Sequence, residues 1–191
     1  SSIDARDPLT AGHSEKVAIY SDEIARRMGF SPKQRDVIRI ASLLHDYGKI
    51  GVPDHILKKN GQLTVDEFEI IKTHAGKTAS ILNQINFEDD YSEIPNIAGA
   101  HHERLDGQGY PRNLKGSEIP LEARIIAAAD FYDAITSQRH YRNPMPYDEA
   151  ISILKAESGS HLDPKVVKVF CDYLADTQIT IEKNKAVLTY K

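Results

Sequence analysis

Apolar positions recur at the helical period along most of the chain, and the breaks in that pattern carry start and stop signals. Val17, Ile24 and Met28 share one face of a first helix, which follows a loop around Asp7-Pro8 and closes at Gly29. Ser31-Pro32-Lys33-Gln34 restarts the chain, with Ser as N-cap, Pro in the first turn and Gln three residues on. Val37, Ile40, Ala41, Leu43 and Leu44 make the next helix strongly apolar, hence central; it runs into His45-Asp46 and relaxes near Gly48. Thr64-Val65-Asp66-Glu67 is a second capping box, opening a helix through Phe68 and Ile71. Further helices are predicted over 78–85 and 94–102. Gly107, Gly109, Pro111, Gly116 and Pro120 make 104–120 an ordered loop. Residues 121–136 form an unbroken helical run packed through Ile125, Ala128, Ala129 and Ala134, and helices follow over 147–157 and 164–174, the last capped by Asp163 ahead of Pro164. Only the tail alternates, at Ile179, Ile181 and Ala186-Val187-Leu188 around Lys183-Asn184-Lys185, which predicts a small β-hairpin or a link. The expected fold is all-α: one domain over 1–175, with 176–191 as a C-terminal extension.

Composition narrows the class. The chain has 191 residues, 40% hydrophobic and 27% charged, so a single globular domain is expected and disorder is not. No stretch approaches the roughly 18 uncharged apolar residues of a membrane span. Cys171, alone, excludes an intrachain disulfide and a cysteine-based zinc module. A net charge of −4 argues against binding long nucleic acid. The chain opens Ser-Ser without a charged leader or apolar signal core, so the expected location is the cytoplasm. Eight His against one Cys raise the question of metal.

Polar residues interrupt the apolar helices at His13, His45-Asp46, His74 and His101-His102, and Asp130 sits inside Ile125-Ile126-Ala127-Ala128-Ala129. An unpaired carboxylate there would cost several kcal/mol, so it needs a cation or a dense hydrogen-bond shell. Neighbours on a helix project about 100° apart, so a His-Asp or His-His pair can address two ions or wrap two sides of one. Five His and two Asp over-supply one ion but suit two that share a bridging carboxylate. Nitrogen and oxygen donors point to iron, manganese, nickel, cobalt or zinc. Two such ions, about 3.5–4 Å apart, are the apparatus of phosphoryl hydrolysis.

The motifs resemble a known family. His45-Asp46-Tyr47-Gly48-Lys49-Ile50 has the form of the HD phosphohydrolase signature. His101-His102-Glu103-Arg104-Leu105-Asp106-Gly107-Gln108-Gly109-Tyr110-Pro111 is similar to the extended HD-GYP motif. Ala129-Asp130-Phe131-Tyr132-Asp133-Ala134, with Arg139 and Tyr141-Arg142, resembles that subfamily's next block, and the likeness spans roughly residues 8–171. It implies an HD-domain helical bundle and a cyclic di-GMP phosphodiesterase. By resemblance, His13, His45, Asp46 and Asp130 bind one divalent ion, and Asp46 bridges to a second held by His74, His101 and His102. Iron is the first choice, with manganese, nickel, cobalt or zinc as alternatives. A hydroxide bridging the ions would open the ring to linear pGpG, with pocket shape deciding whether hydrolysis stops there or goes on to GMP.

Further roles follow from the same resemblance. Lys49 would stabilise phosphoryl oxygens or the leaving 3′-oxygen. Asp133, one helical turn from Asp130, would orient a ligand or water at the substrate site. Arg139 and Arg142 would contact phosphate and guanine edges. Tyr110 belongs to a Gly-Tyr-Pro rim that would also meet partner domains such as GGDEF cyclases, and a receiver or sensor module would regulate the domain. Leu9 stands where trinuclear members carry an acidic residue, which favours two metals. His140 and Asn60 replace common prolines. The competing expectations are hydrolysis of cyclic GMP-AMP or another nucleotide, and a non-catalytic effector that binds cyclic di-GMP or a partner. His55, His140 and His161 are left outside the metal set.

Overall fold

The computed structural model describes residues 12–138 and 143–189, with side chains through residue 180. Helix α1 is His13–Arg27, α2 Pro32–Leu44, α3 Asp54–Leu57, α4 Val65–Leu82, α5 Ile94–Gly99, α6 Leu121–Thr136, α7 Tyr147–Ala156 and α8 Pro164–Thr189. The described residues contain no strand beyond one isolated bridge between Ser158 and Leu162. Both capping boxes form: the Ser31 and Thr64 hydroxyls accept from the backbone N–H groups of Gln34 and Glu67, whose side chains return the bond. Asp163 caps α8 by accepting from the N–H groups of Lys165 and Val166.

Helix α6 is the axis of the bundle. Ala123, Ile125, Ile126, Ala127, Ala128, Ala129, Tyr132 and Ile135 are buried around its whole circumference, as expected of a helix apolar on every side. Helices α1, α2, α7 and α8 pack about it, and α5, paired with α4, packs on α2. Helix α2, expected to be central, packs on α1, α5 and α6; it buries Val37, Ile38, Ala41 and Ser42, while Ile40, Leu43 and Leu44 are partly covered. Small residues on α6 let the surrounding helices come close, which bulky leucines would not.

Three elements differ from expectation. The helix opened by Thr64 continues through Thr78 to Leu82 without a restart, because no Gly or Pro that could break it stands before Gly76, and Gly76 sits within the helix. Helix α5 ends at Gly99, three residues short, and the His101 imidazole bonds the Ala98 carbonyl in place of the next turn. The expected C-terminal hairpin is replaced by helix: α8 runs unbroken through residue 175 to Thr189. The segment has no Gly or Pro to make a turn, and extending an existing helix avoids the cost of nucleation. Its threonines conform to the helix as well, Thr177 and Thr180 donating to the carbonyls of Tyr173 and Asp176.

The fold serves the site through one close contact. Between α2 and α3 the chain makes a 3-10 turn, Tyr47–Gly51, that lies directly on α4. A Cβ on Gly48 would stand 2.0 Å from the His74 carbonyl oxygen and 2.5 Å from the Thr78 nitrogen, so only glycine fits. The Thr78 hydroxyl accepts from Gly48 N–H at 2.8 Å and donates to the His45 carbonyl at 2.9 Å. That clamp holds His45-Asp46 against His74.

Candidate metal centre

His13 opens α1, His45 caps the end of α2, Asp46 follows it, His74 lies in α4, His101 and His102 follow α5, and Asp130 lies in α6. All seven converge. His13, His45 and Asp130 form one cluster, His74, His101 and His102 a second, and His45, Asp46 and His101 a third between them; within each, donor atoms lie within 4.8 Å of one another. Asp46 is shared. Its Oδ1 stands 3.3 Å from His74 Nε2 and 3.9 Å from His101 Nε2, and its Oδ2 stands 3.5 Å from His45 Nε2 and 3.8 Å from His13 Nε2. Asp130 Oδ1 is 3.1 Å from His13 Nε2 and 3.8 Å from His45 Nε2.

Local hydrogen bonds aim the imidazoles. Nδ1 of His45, His74 and His101 meets the carbonyl three residues earlier, of Ser42, Ile71 and Ala98, at 2.6, 2.6 and 2.7 Å. A carbonyl can only accept, so each Nδ1 carries the hydrogen and each Nε2 presents a lone pair. His13 is set the same way by a carboxylate, its Nδ1 lying 2.6 Å from Asp133 Oδ2. Such a bond on the far ring nitrogen is the usual support of a metal-ligating histidine.

The donors fit divalent ions. His45 Nε2 is buried with no hydrogen-bond partner, and His74 Nε2 faces His101 Nε2 at 3.4 Å. Two opposed lone pairs repel unless a cation lies between them. Donors about 2.1 Å from one ion stand roughly 3.0–3.4 Å apart, so the spacing suits shared coordination.

Electrostatics favour the same state. Burial and neighbouring imidazoles hold His101 well below the ordinary histidine value and push His102 down to about 3. Burial also lowers His45. These rings are therefore neutral and able to ligate. Burial disfavours ionised Asp46, but the Lys49 ammonium beside it favours the charged form, and the carboxyl is held well below its usual range. Asp130 is likewise lowered against the cost of burial, chiefly through His13. His13 is the exception: burial opposes its charge, yet hydrogen bonds to Asp130 and Asp133 raise it to about 9. In the metal-free protein it holds a proton between two carboxylates, standing in for a cation.

Other expected residues take varied places. Lys49 pairs with Asp46 at the edge of the centre. Tyr110 packs its ring on His102, centroids 4.8 Å apart, and burial raises its phenol above the ordinary value. The Asp133 carboxylate is 2% exposed, and its oxygens meet His13, Ser137 Oγ at 2.9 Å and Lys16 Nζ at 3.7 Å. Of the expected roles, these contacts favour orienting a candidate ligand, His13, over meeting substrate. His161 packs against Phe131 and Glu157 and belongs to none of the three donor clusters, and exposed His55 lies on α3. Arg139, His140, Arg142 and Leu9 lie outside the described residues.

Two supports escaped sequence reasoning. Buried Glu103 accepts from the backbone N–H groups of Arg112 and Leu114, at 2.7 and 2.9 Å, and so folds the Gly-Tyr-Pro loop back on itself. Thr78 makes the clamp described above. An acidic residue directly after His101-His102, and a threonine one turn after His74, were the available signals.

Fold and centre define an all-helical domain built around His/Asp clusters for divalent metal. The HD domain family matches residues 2–166, and the chain belongs to it. The HD-GYP resemblance is upheld. The chain is 45% identical over 163 residues to the 3'3'-cGAMP-specific phosphodiesterase 3 of Vibrio cholerae, covering 85% of this chain and 35% of that protein. It is 46% identical over 169 residues to a cyclic di-GMP phosphodiesterase of Thermotoga maritima, covering 86% and 45%. An HDG"Y"P protein from Bdellovibrio bacteriovorus has the same fold, with a TM-score of 0.70 at 22% identity over 85% of this chain and 51% of that one. The chain thus spans less than half the length of these two curated relatives. Among the described residues no helix is long and apolar enough to cross a membrane.

Proposed function

We propose that the chain is a metal-dependent phosphodiesterase that hydrolyses cyclic di-GMP to linear pGpG, with GMP as the alternative end product. One observation carries the reading: the Asp46 carboxylate turns one oxygen to His74 and His101 and the other to His13 and His45. His13, His45, Asp46 and Asp130 would hold one ion, and Asp46, His74, His101 and His102 the other, iron being the first choice. Bound there, divalent ions supply Lewis acidity and an activated water near neutral pH.

The chain's own groups do the rest. Neutral His45, His101 and His102 ligate without first losing a proton. Asp133 keeps the His13 ring turned toward Asp130. Lys49, held on Asp46, offers positive charge to the phosphoryl oxygens or the leaving 3′-oxygen. Tyr110 walls the entry beside His102. By their motif, Arg139 and Arg142 would bind phosphate and guanine edges. Regulation by a receiver or sensor module, contact with GGDEF domains through the Gly-Tyr-Pro loop, and a cytoplasmic location belong to the same reading.

A second substrate has direct support, since a relative of 45% identity is named a 3'3'-cGAMP-specific phosphodiesterase. The deciding assay incubates cyclic di-GMP, 3'3'-cGAMP and dATP with Fe(II)-, Mn(II)- and Ni(II)-loaded protein and with metal-free protein, and separates the products chromatographically. Cleavage of cyclic di-GMP only in the loaded forms is expected. Cleavage of 3'3'-cGAMP alone would transfer the substrate assignment. Binding without turnover under every metal would make the chain an effector.

A further inference from the structure

Beside the centre, on the outer side of Tyr110, opens a cavity of about 540 Å³ that the proposed chemistry leaves unused. His102 lines it, so one wall is a candidate metal ligand. Phe68 and Lys72, on the first turns of α4, line it opposite the Gly-Tyr-Pro loop. Phe68 is 48% exposed beside the cavity. The Lys72 ammonium lies 5.4 Å from the Phe68 ring centre and 5.9 Å from that of Tyr110. Its carboxylate partner, Glu69, is 60% exposed and one helical turn away, so that pair is screened by water and readily exchanged. Arg104, also on the wall, is committed to Asp106 in a two-pronged pair.

A cyclic dinucleotide presents two phosphates and two purines. While one phosphate is at the metals, the other half offers a second phosphate and a purine face, and Arg139 and Arg142, proposed for phosphate and guanine edges, supply no flat apolar surface for that face. Lys72 and Phe68 supply a cation and such a surface next to the centre, and stacking of bases on aromatic rings tolerates either purine. We propose that this cavity is a subsite for the uncut half of a cyclic dinucleotide, with Lys72 meeting its phosphate and Phe68 its purine. The inference rests on the cyclic dinucleotide reading above but not on hydrolysis.

The test uses the whole chain as wild type, Lys72→Gln and Phe68→Leu. The dissociation constants of cyclic di-GMP and 3'3'-cGAMP are measured by calorimetry on metal-free protein. Steady-state hydrolysis of both, and of bis(p-nitrophenyl) phosphate, which has neither a purine nor a second phosphate, is measured on loaded protein with metal content assayed in parallel. Each variant should weaken dinucleotide binding, or raise KM, by about tenfold, and lose far less on the minimal diester. Equal effects on both substrates, wild-type affinity, or loss of metal would overturn the subsite. A wild type that binds but never cleaves, with variants that bind more weakly, would keep the subsite and discard the hydrolysis. A wild type that neither binds nor cleaves would discard both.

Discussion

His74 and His101 turn their Nε2 atoms toward each other at 3.4 Å, while each gives its Nδ1 hydrogen to a carbonyl of its own segment. The pair is held in a posture that only a cation between the rings makes favourable. Divalent metal should therefore stabilise the fold as well as serve chemistry. Thermal unfolding should show the melting temperature of loaded protein fall by several degrees on removal of metal with a chelator. An unchanged melting temperature would contradict coordination at this pair.

Asp46 offers one oxygen to each cluster, so its loss should affect both. In Asp46→Ala, elemental analysis should find the content of both ions depleted, and turnover should fall below detection. Retention of two ions per chain would exclude the shared-carboxylate arrangement.

Asp133 acts through His13. Asp133→Asn keeps the size but weakens the bond that fixes the ring, and metal affinity should fall about 10–100-fold, as for other supports of ligating histidines. KM for a cyclic dinucleotide should change little. A large KM effect at full metal content would favour the substrate role instead.

The pH dependence of the metal-free protein has a defined sign. His13 is raised to about 9 in the fold, so its contribution is complete below the unfolded value of about 6.5 and is lost as pH climbs through 9, at most about 3 kcal/mol. His45, His101 and His102 are lowered, so their contribution is present above about 6.5 and is lost as pH falls and the unfolded chain takes up protons. Denaturant titrations should place maximal stability near neutrality. Metal must displace the His13 proton, so its affinity should rise up to about tenfold per pH unit toward pH 9. Affinity that does not vary with pH would count against His13 as a ligand.

Gly48→Ala would drive a methyl group into the His74 carbonyl, an atom of a packed helix with nowhere to move. Destabilisation near the upper end of the overpacking range, about 3 kcal/mol, is expected, together with loss of metal as Asp46 shifts from His74. Calorimetry and elemental analysis measure the two effects.

Much of this was legible in the chain. Capping boxes at Ser31 and Thr64, the Asp163 cap and the helix over 121–136 are local features, set by backbone hydrogen bonds a few residues apart. The seven candidate ligands could be named because a His or Asp inside an apolar helix is costly without a partner. The tail misled because alternation at Ile179 and Ile181 also fits a helix surface, and helix already formed at residue 164 extends through it.

The sequence by itself determined the helical elements up to the tail, the donor types and the family, since all three reside in residue identity and short spacing. Tertiary structure alone decided how those donors meet. Asp46 lies 28 residues before His74 and 55 before His101, and its carboxylate joins the clusters only because Gly48 lets the turn sit on α4 and Thr78 clamps it there. Asp133 became the partner of His13, 120 residues away, through the packing of α1 on α6. Lys72 came beside Tyr110 by the same kind of closure. Distances across a packed core depend on every helix at once, and no local pattern contains them.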